Sequence, residues 1–172
     1  MNDIKISVAK KDDSSDASDV VYKTWLATYP NKEYGITVND IEDWFRDRLH
    51  PEKIQKRLDR ILYPPKGEML FVAKEINKVV GICRAIVMEE KNQLQAIYIL
   101  PEYQGKGIGT MLWNSAQKFF DLSKDVFVEL AVYNKQAEEF YKKLGFVDTG
   151  KRIKNEKFTI KSGAMILEME MV

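Results

Sequence analysis

The sequence predicts an α/β (α+β) fold in which helices cover the faces of a mixed sheet. Two observations carry that expectation. Over the first 65 residues apolar side chains recur at helical spacing, whereas beyond Tyr63-Pro64-Pro65-Lys66-Gly67 they gather into short, β-branched runs. Within the second part a glycine-rich turn leads from one strand-like run into a helix and then into another strand, the order that produces a parallel crossover.

Taken in order, Ile4 to Ala9 alternates like a short strand. Val20, Val21, Trp25 and Leu26 then follow helical spacing until Pro30 and Asn31 stop it. A second helix is expected from Thr37, with Ile41, Trp44, Phe45 and Leu49 on one face and Asp40 as a capping-box acid. Pro51 opens a third, with Ile54, Leu58 and Ile61 as its core stripe. Met69 to Glu75 and Val79 to Met88 flank the hairpin connection Ile76-Asn77-Lys78, and Lys91-Asn92 separates the second run from Leu94 to Leu100, giving an antiparallel meander. After the glycine turn comes a helix with Ile108, Met111, Leu112, Ala116 and Phe119/Phe120 inward, then a buried strand, Val126 to Val132. Asn134 starts a last helix that ends at Gly145 as a left-handed cap, before strands around Phe146 to Arg152 and Ala164 to Met171.

Composition removes several function classes. The chain of 172 residues has one histidine, His50, and one cysteine, Cys83, so neither a multi-histidine metal centre nor a paired-thiolate zinc site is expected. His50, beside Pro51, reads as a surface or capping residue, and Cys83 as a small buried apolar side chain. The formal charge is +1, and residues 1–60 carry 11 basic and 12 acidic groups. Nucleic-acid binders concentrate cations to displace counterions from phosphates, and the sequence shows no such excess, although a local basic patch is compatible with it. No window approaches the ~20 apolar residues of a membrane span, and the start lacks a signal-peptide core, so the reading is a cytoplasmic protein without membrane or nucleic-acid partners.

The chemistry concentrates in Gln104-Gly105-Lys106-Gly107-Ile108-Gly109-Thr110 at the start of a helix. Unpaired N–H groups there carry partial positive charge, and glycines let an anion approach the backbone. A Rossmann fingerprint from Gly105 fails at Thr110, and no Gly-Lys-Ser/Thr follows at P-loop spacing. Gln104-x-x-Gly107-x-Gly109 at the end of a meander strand instead resembles the coenzyme A pyrophosphate loop of the GNAT superfamily of N-acetyltransferases. Asn134, Ala137, Phe140-Tyr141 and Gly145-Phe146 resemble that family's second motif and follow in the required order.

The resemblance implies a GNAT-like, mostly antiparallel sheet with helices on both faces and an acetyl-CoA cleft between two splayed parallel strands. It implies one domain over residues 1–172, with 1–65 on the acceptor side and 69–172 as the CoA-binding core. The activity it implies is acetyl transfer from acetyl-CoA, with no metal, to a primary amine of a small molecule such as a polyamine or amino acid. Ile97, Tyr98 and Ile99 would bind the pantetheine arm, Gln104, Gly105, Lys106, Gly107, Ile108, Gly109 and Thr110 the pyrophosphate, and Asn134 and Ala137 the groove beside them. Tyr141 matches the general acid, and also contacts the cofactor. Each has a plainer reading: Lys106 a solvated charge, Asn134 a helix cap, Tyr141 a packed aromatic.

The general base is the gap. Many relatives carry an acid where this chain has Asn92-Gln93-Leu94-Gln95, which leaves Glu90 as the candidate base, with Glu89 and Glu129 beside it by topology. Trp25, Trp44 and Phe45 read as core, whereas Tyr29 and Tyr34, beside Pro30 and Gly35, read as the substrate rim. A protein N-terminus or lysine as acceptor, a non-catalytic CoA sensor, and a nucleotide-binding domain are the alternatives. The apolar run Met165 to Met171 can pair within the sheet or across a homodimer.

Overall fold

The computed structural model describes residues 3–154 and 164–171. Its strands are β1 (Ile4–Val8), β2 (Glu68–Glu75), β3 (Lys78–Val87), β4 (Asn92–Ile99), β5 (Val126–Ala131), β6 (Val147–Lys154) and β7 (Met165–Met171). They form one sheet in the order β1-β2-β3-β4-β5-β7-β6, antiparallel at every pairing except β4 with β5. The helices are α1 (Ser14–Thr28), α2 (Val38–Trp44), α3 (Pro51–Leu62), α4 (Ile108–Gln117) and α5 (Lys135–Lys143). Gly81 of β3 meets Leu112 of α4, while the next residue, Ile82, faces a cavity beneath α1. Strand alternation therefore places α1 and α4 on opposite faces. Among the described residues no helix is long and apolar enough to cross a membrane.

Between these layers Val72, Cys83, Ala85, Leu94, Leu112 and Met169 lose all contact with water. The β2–β3 hairpin turns on Ile76 and Asn77, and Ile76 adopts φ 58° while three-quarters exposed. A left-handed conformation at a β-branched residue costs roughly 1–2 kcal/mol, which the long β2–β3 ladder offsets. α5 ends as its sequence predicts: Gly145 takes φ 101°, and Phe146 N donates to Tyr141 O at 3.0 Å while Gly145 N donates to Lys142 O at 3.0 Å. This pair of bonds is a Schellman cap.

The parallel contact is short. Only Asn92 with Val126 and Gln93 with Phe127 pair between β4 and β5. Asn92, fully buried, pins it: its Nδ2 donates to Asp121 O and Lys124 O at 2.8 and 3.0 Å, and its Oδ1 accepts from Asp121 N at 3.1 Å. Its own backbone N donates to Asp125 O at 2.8 Å. The side chain thus ties the loop before β5 to the start of β4.

Several expectations change. α2 ends at Trp44, leaving Trp44 half-exposed and Leu49 exposed in the turn beyond, because the helical phase needed to bury both is not continued. α3 has no buried residue, and Ile54 is exposed; a cavity separates this helix from β2 and β3, so its apolar stripe is only partly covered. Met111 lies on the solvent side of α4, since Ile108 and Leu112 already occupy the inward positions. Trp25 and Phe45 are partly covered, packed edge-to-face at 5.3 Å. β7 is paired on both sides, by β5 and β6, so its edges are not open to a second chain.

Asn92→Ala should lower stability by about 2–4 kcal/mol in urea denaturation, because two buried carbonyls and an N–H lose their partner. Asn92→Asp, although isosteric, should be at least as harmful at neutral pH, since it aims a carboxylate oxygen at those carbonyls; a change within about 0.5 kcal/mol for either variant would remove the pinning role. At the other end of the crossover, a Cβ added to Gly109 would sit 2.9 Å from Phe140 Cζ. Gly109→Ala should cost about 1–3 kcal/mol and be partly rescued by Phe140→Leu, and additive effects in that double-mutant cycle would contradict the contact.

Candidate active site

Past Gln93 the two parallel strands share no ladder, and a cavity of about 320 Å³ opens where they part. Residues 95–99 of β4 form one wall, Glu129 and Leu130 of β5 and Ala137, Phe140 and Tyr141 of α5 the other. Thr24, Thr28 and Tyr29 at the end of α1 close the third side, and the glycine loop closes the end.

In the loop, Gly105 and Gly107 hold φ 72° and 78°, with open space where a Cβ would stand. Those two positions need glycine for backbone conformation, and they leave the approach to α4 unobstructed. Gly107 is the N-cap of α4 and supplies no capping side chain. The N–H groups of the first turn, at Ile108, Gly109 and Thr110, therefore remain for a ligand in the cleft, a donor set suited to a phosphate. Gly109 differs, being glycine because Phe140 packs against it.

Gln104 follows the short turn after β4 and reaches back to it. Its Nε2 donates to Ile99 O at 3.0 Å, which Thr24 Oγ1 also approaches at 3.4 Å, and its Oε1 accepts from Gln136 Nε2 at 3.2 Å. One amide thus joins β4 to α5 across the cleft mouth. Ile97, Tyr98 and Ile99 line the wall as the sequence reading expected, but the carbonyl of Ile99 is already engaged. Lys106 lies outside the lining, its ammonium 4.8 Å from the centre of the Tyr103 ring, whose hydroxyl donates to Glu75 at 2.7 Å. A cation on an aromatic face at the loop's outer side fits the solvated reading.

On the α5 side, Asn134 caps the helix, accepting from Ala137 N at 3.1 Å, and also lines the cleft. Tyr141 is buried and lines the cleft, with its ring edge-on to Phe140 and Phe146. Burial pushes its phenol well above the usual tyrosine range, with the neighbouring Cys83 and Tyr98 adding to the effect. Phe140 is the more exposed of the two and also faces the cleft.

Tyr29 lines the cleft, but at its floor and not at its rim. It ends α1, is buried, and forms a side-chain hydrogen bond with Tyr98 at the cleft floor, beside Trp25 at 4.7 Å between ring centres. Burial raises the pKa of Tyr29 and of Tyr98, keeping both phenols protonated. Tyr34 lies outside the lining, its ring tilted against that of Tyr133 at 5.1 Å between centres, because Asn31 folds the loop back through its pairing with Ile36. Tyr133 in turn reaches Tyr29 O at 3.3 Å.

Glu90 is likewise absent from the cleft. It sits in the turn before β4, about 20 Å along the strand from residues 97–99, at the end where the parallel strands are pinned. Glu129 is in the lining. Desolvation raises its pKa, the charge of Glu168 directly across the ladder adds to the rise, and Lys151 opposes it. Sequence reasoning passed over Thr24, Thr28, Gln95 and Gln136, all in the lining. The i, i+4 spacing of Thr24 and Thr28 beside an apolar stripe was the available signal for the first two.

Comparison with known proteins agrees with this geometry. The acetyltransferase (GNAT) domain family matches residues 27–169. An uncharacterized N-acetyltransferase of Methanocaldococcus jannaschii is 40% identical over 78 residues, 44% of this chain but only 33% of that protein, so the match spans a third of its length. A spermidine N(1)-acetyltransferase of Thermoplasma acidophilum is 27% identical over 151 residues, 83% of this chain and 88% of the relative. The crystal structure of the PaiA N-acetyltransferase of Thermoplasma acidophilum in complex with coenzyme A superposes with a TM-score of 0.70 over 98% of this chain and 99% of that one, at 23% identity. With its seven-stranded sheet, its single parallel junction and a family match over most of its length, the chain belongs to the GNAT acetyltransferase family.

Proposed function

We propose that the protein transfers an acetyl group from acetyl-CoA to a primary amine of a small molecule, of the polyamine or amino acid class, by direct attack. The observation that carries this reading is the cleft itself: a wall of β4 freed from its parallel neighbour leads into a helix start whose first N–H groups are uncapped. Among the described residues, the only charged one lining it is Glu129, which favours a cationic acceptor over an anionic one. The similarity to a spermidine acetyltransferase points the same way.

Acetyl-CoA supplies the acetyl group as an activated thioester. The loop residues Gln104 to Thr110 hold its pyrophosphate end, and Ile97 to Ile99 with Asn134 and Ala137 orient the arm that carries the thioester. Two protons must then leave an ammonium acceptor. Glu129 takes the first, its raised pKa making it a stronger base than an ordinary surface carboxylate. The second ends on the departing sulfur, with Tyr141 as the donor there; burial holds that phenol protonated across the working pH range. Tyr29, Tyr98 and Thr28 form the floor on which the acceptor chain lies.

The test is thiol release from acetyl-CoA with a panel of amines. Tyr141→Phe should lower kcat by about 10²-fold or more while leaving coenzyme A binding intact. With Glu129 as the base, the productive pair is its carboxylate and the ammonium form of the acceptor, so log(kcat/KM) should be level below the amine pKa of ~10 and fall with unit slope only below the pKa of Glu129, which is displaced upward. Glu129→Gln, which has to wait for free amine, should instead fall with unit slope from the amine pKa downward. Turnover of no amine, or a Tyr141→Phe enzyme of undiminished kcat, would refute the assignment.

A further inference from the structure

A second cavity, of about 310 Å³, lies under the same face of α1 as the cleft but toward the other end of the helix, bounded by α3, β2 and β3. Ser14, Ser18 and Val21 line it, whereas Thr24 and Thr28 line the cleft, and the two cavities share no residue. Its walls bring five cations together, Lys53, Lys56, Arg57 and Arg60 from α3 and Arg84 from β3, against one carboxylate, Glu68. That carboxylate is committed: Arg60 holds it through Nε at 2.9 Å and Nη2 at 2.7 Å. Arg57 donates from Nη2 to Arg48 O at 2.7 Å, yet its Nε is buried without an acceptor among the described residues. Arg84, half-buried in the middle of the sheet, has no hydrogen-bond or ion-pair partner among them.

An arrangement of this kind is unfavourable for the empty protein. A guanidinium withdrawn from water needs a carboxylate or phosphate to replace its hydration, and four neighbouring cations add repulsion. Consistent with that, burial lowers the pKa of Arg84, with the charge of Arg60 next in effect, and burial lowers that of Arg57 as well. The rest of the chain carries 22 basic against 25 acidic groups, so the positive excess is local. The volume is that of a small-metabolite pocket, and Leu70, Ile61 and Ile82 give it an apolar floor.

We propose that this cavity binds a small organic oxyanion carrying at least two negative charges, a phosphate ester or a polycarboxylate, separately from the acetyl-transfer cleft. Arg84 meets the anion from the sheet and Arg57 Nε from the helix, and Lys53 and Lys56 close over it from the exposed side. The site adjoins the cleft wall through the β3–β4 ladder: Ile82 is paired with Tyr98 and Arg84 with Ala96, both of which line the cleft. An anion held by Arg84 therefore stiffens the strand pair against which the acceptor lies.

The test is calorimetry and thermal denaturation of the full chain saturated with coenzyme A, so that the loop before α4 is filled, titrated with inorganic pyrophosphate or citrate at constant ionic strength against chloride. One equivalent should bind, with a rise in Tm of about 3 °C or more at ten times Kd. Response to pyrophosphate alone supports a phosphate ester, and to citrate alone a polycarboxylate. Arg84→Met should weaken binding about tenfold or more, while the unliganded variant unfolds no earlier than the parent, since an unpaired cation is replaced by an apolar side chain. The double change Lys53→Gln and Lys56→Gln, on exposed positions, should also weaken binding and covers the case in which Arg84→Met does not fold. No response beyond chloride to either anion, or undiminished binding in both variants, overturns the proposal. Failure of coenzyme A to bind would count against the transfer reaction alone, because the Arg84→Met comparison still separates this cavity from the α4 loop.

Discussion

Two residue pairs hold the parallel strands together, and the buried amide of Asn92 makes that contact possible. Every hydrogen-bonding group of its side chain is used, and all of its partners lie in the loop that brings the chain back from α4 to β5. Beyond Gln93 nothing in the ladder draws β5 toward β4. The strands diverge because they are joined firmly at one end only. A longer parallel ladder would be the better sheet, yet it would fill the space the ligand needs.

The opening made at that junction is closed elsewhere by side chains rather than by backbone. Gln104 ties the end of β4 to Gln136, and Phe140 sits where any residue larger than glycine at position 109 would collide with it. The start of α4, the end of β4 and the inner face of α5 are therefore set relative to one another by three or four contacts. Their precision matters because, on the proposed reading, the thioester and the pyrophosphate belong to a single substrate and Tyr141 has to meet the thioester end. Opposite them, α1 is shared by two cavities of different electrostatic character, one lined by a lone carboxylate and one by a cluster of cations.

The strand and helix order was legible because it follows from local periodicity and turn chemistry, and Gly145 and Asp40 show how a single residue announces an element's end or start. The glycine loop at the end of the cleft was legible for the same reason, since Gly105 and Gly107 take the left-handed backbone that glycine allows, although Gly109 answers instead to the packing of Phe140. What escaped the sequence depends on long-range placement. Asn92 reads as a turn residue until the loop at 121–125 is folded over it. Glu90 and Glu129 look equivalent on a strand diagram, and only the splay shows that one lies at the pinned end and the other at the open end. The apolar stripe of α3 is genuine, but periodicity cannot reveal that a cavity walled by cationic residues lies between the helix and the sheet. Tyr29 looked like a loop residue because Pro30 follows it, whereas the last turn of α1 carries it inward.

The lone cysteine gains a meaning from its position. Cys83 is fully buried, close enough to Tyr141 to influence its ionisation, and burial pushes its thiol up to about 12. At neutral pH it therefore stays a thiol, not the thiolate that attacks disulfides. A protein that liberates a free thiol is thereby guarded at its own cysteine against mixed-disulfide capture by oxidised product. The same protection would keep Cys83 silent toward thiol-reactive dyes in the native state, so that colour formed during turnover reports the released coenzyme alone.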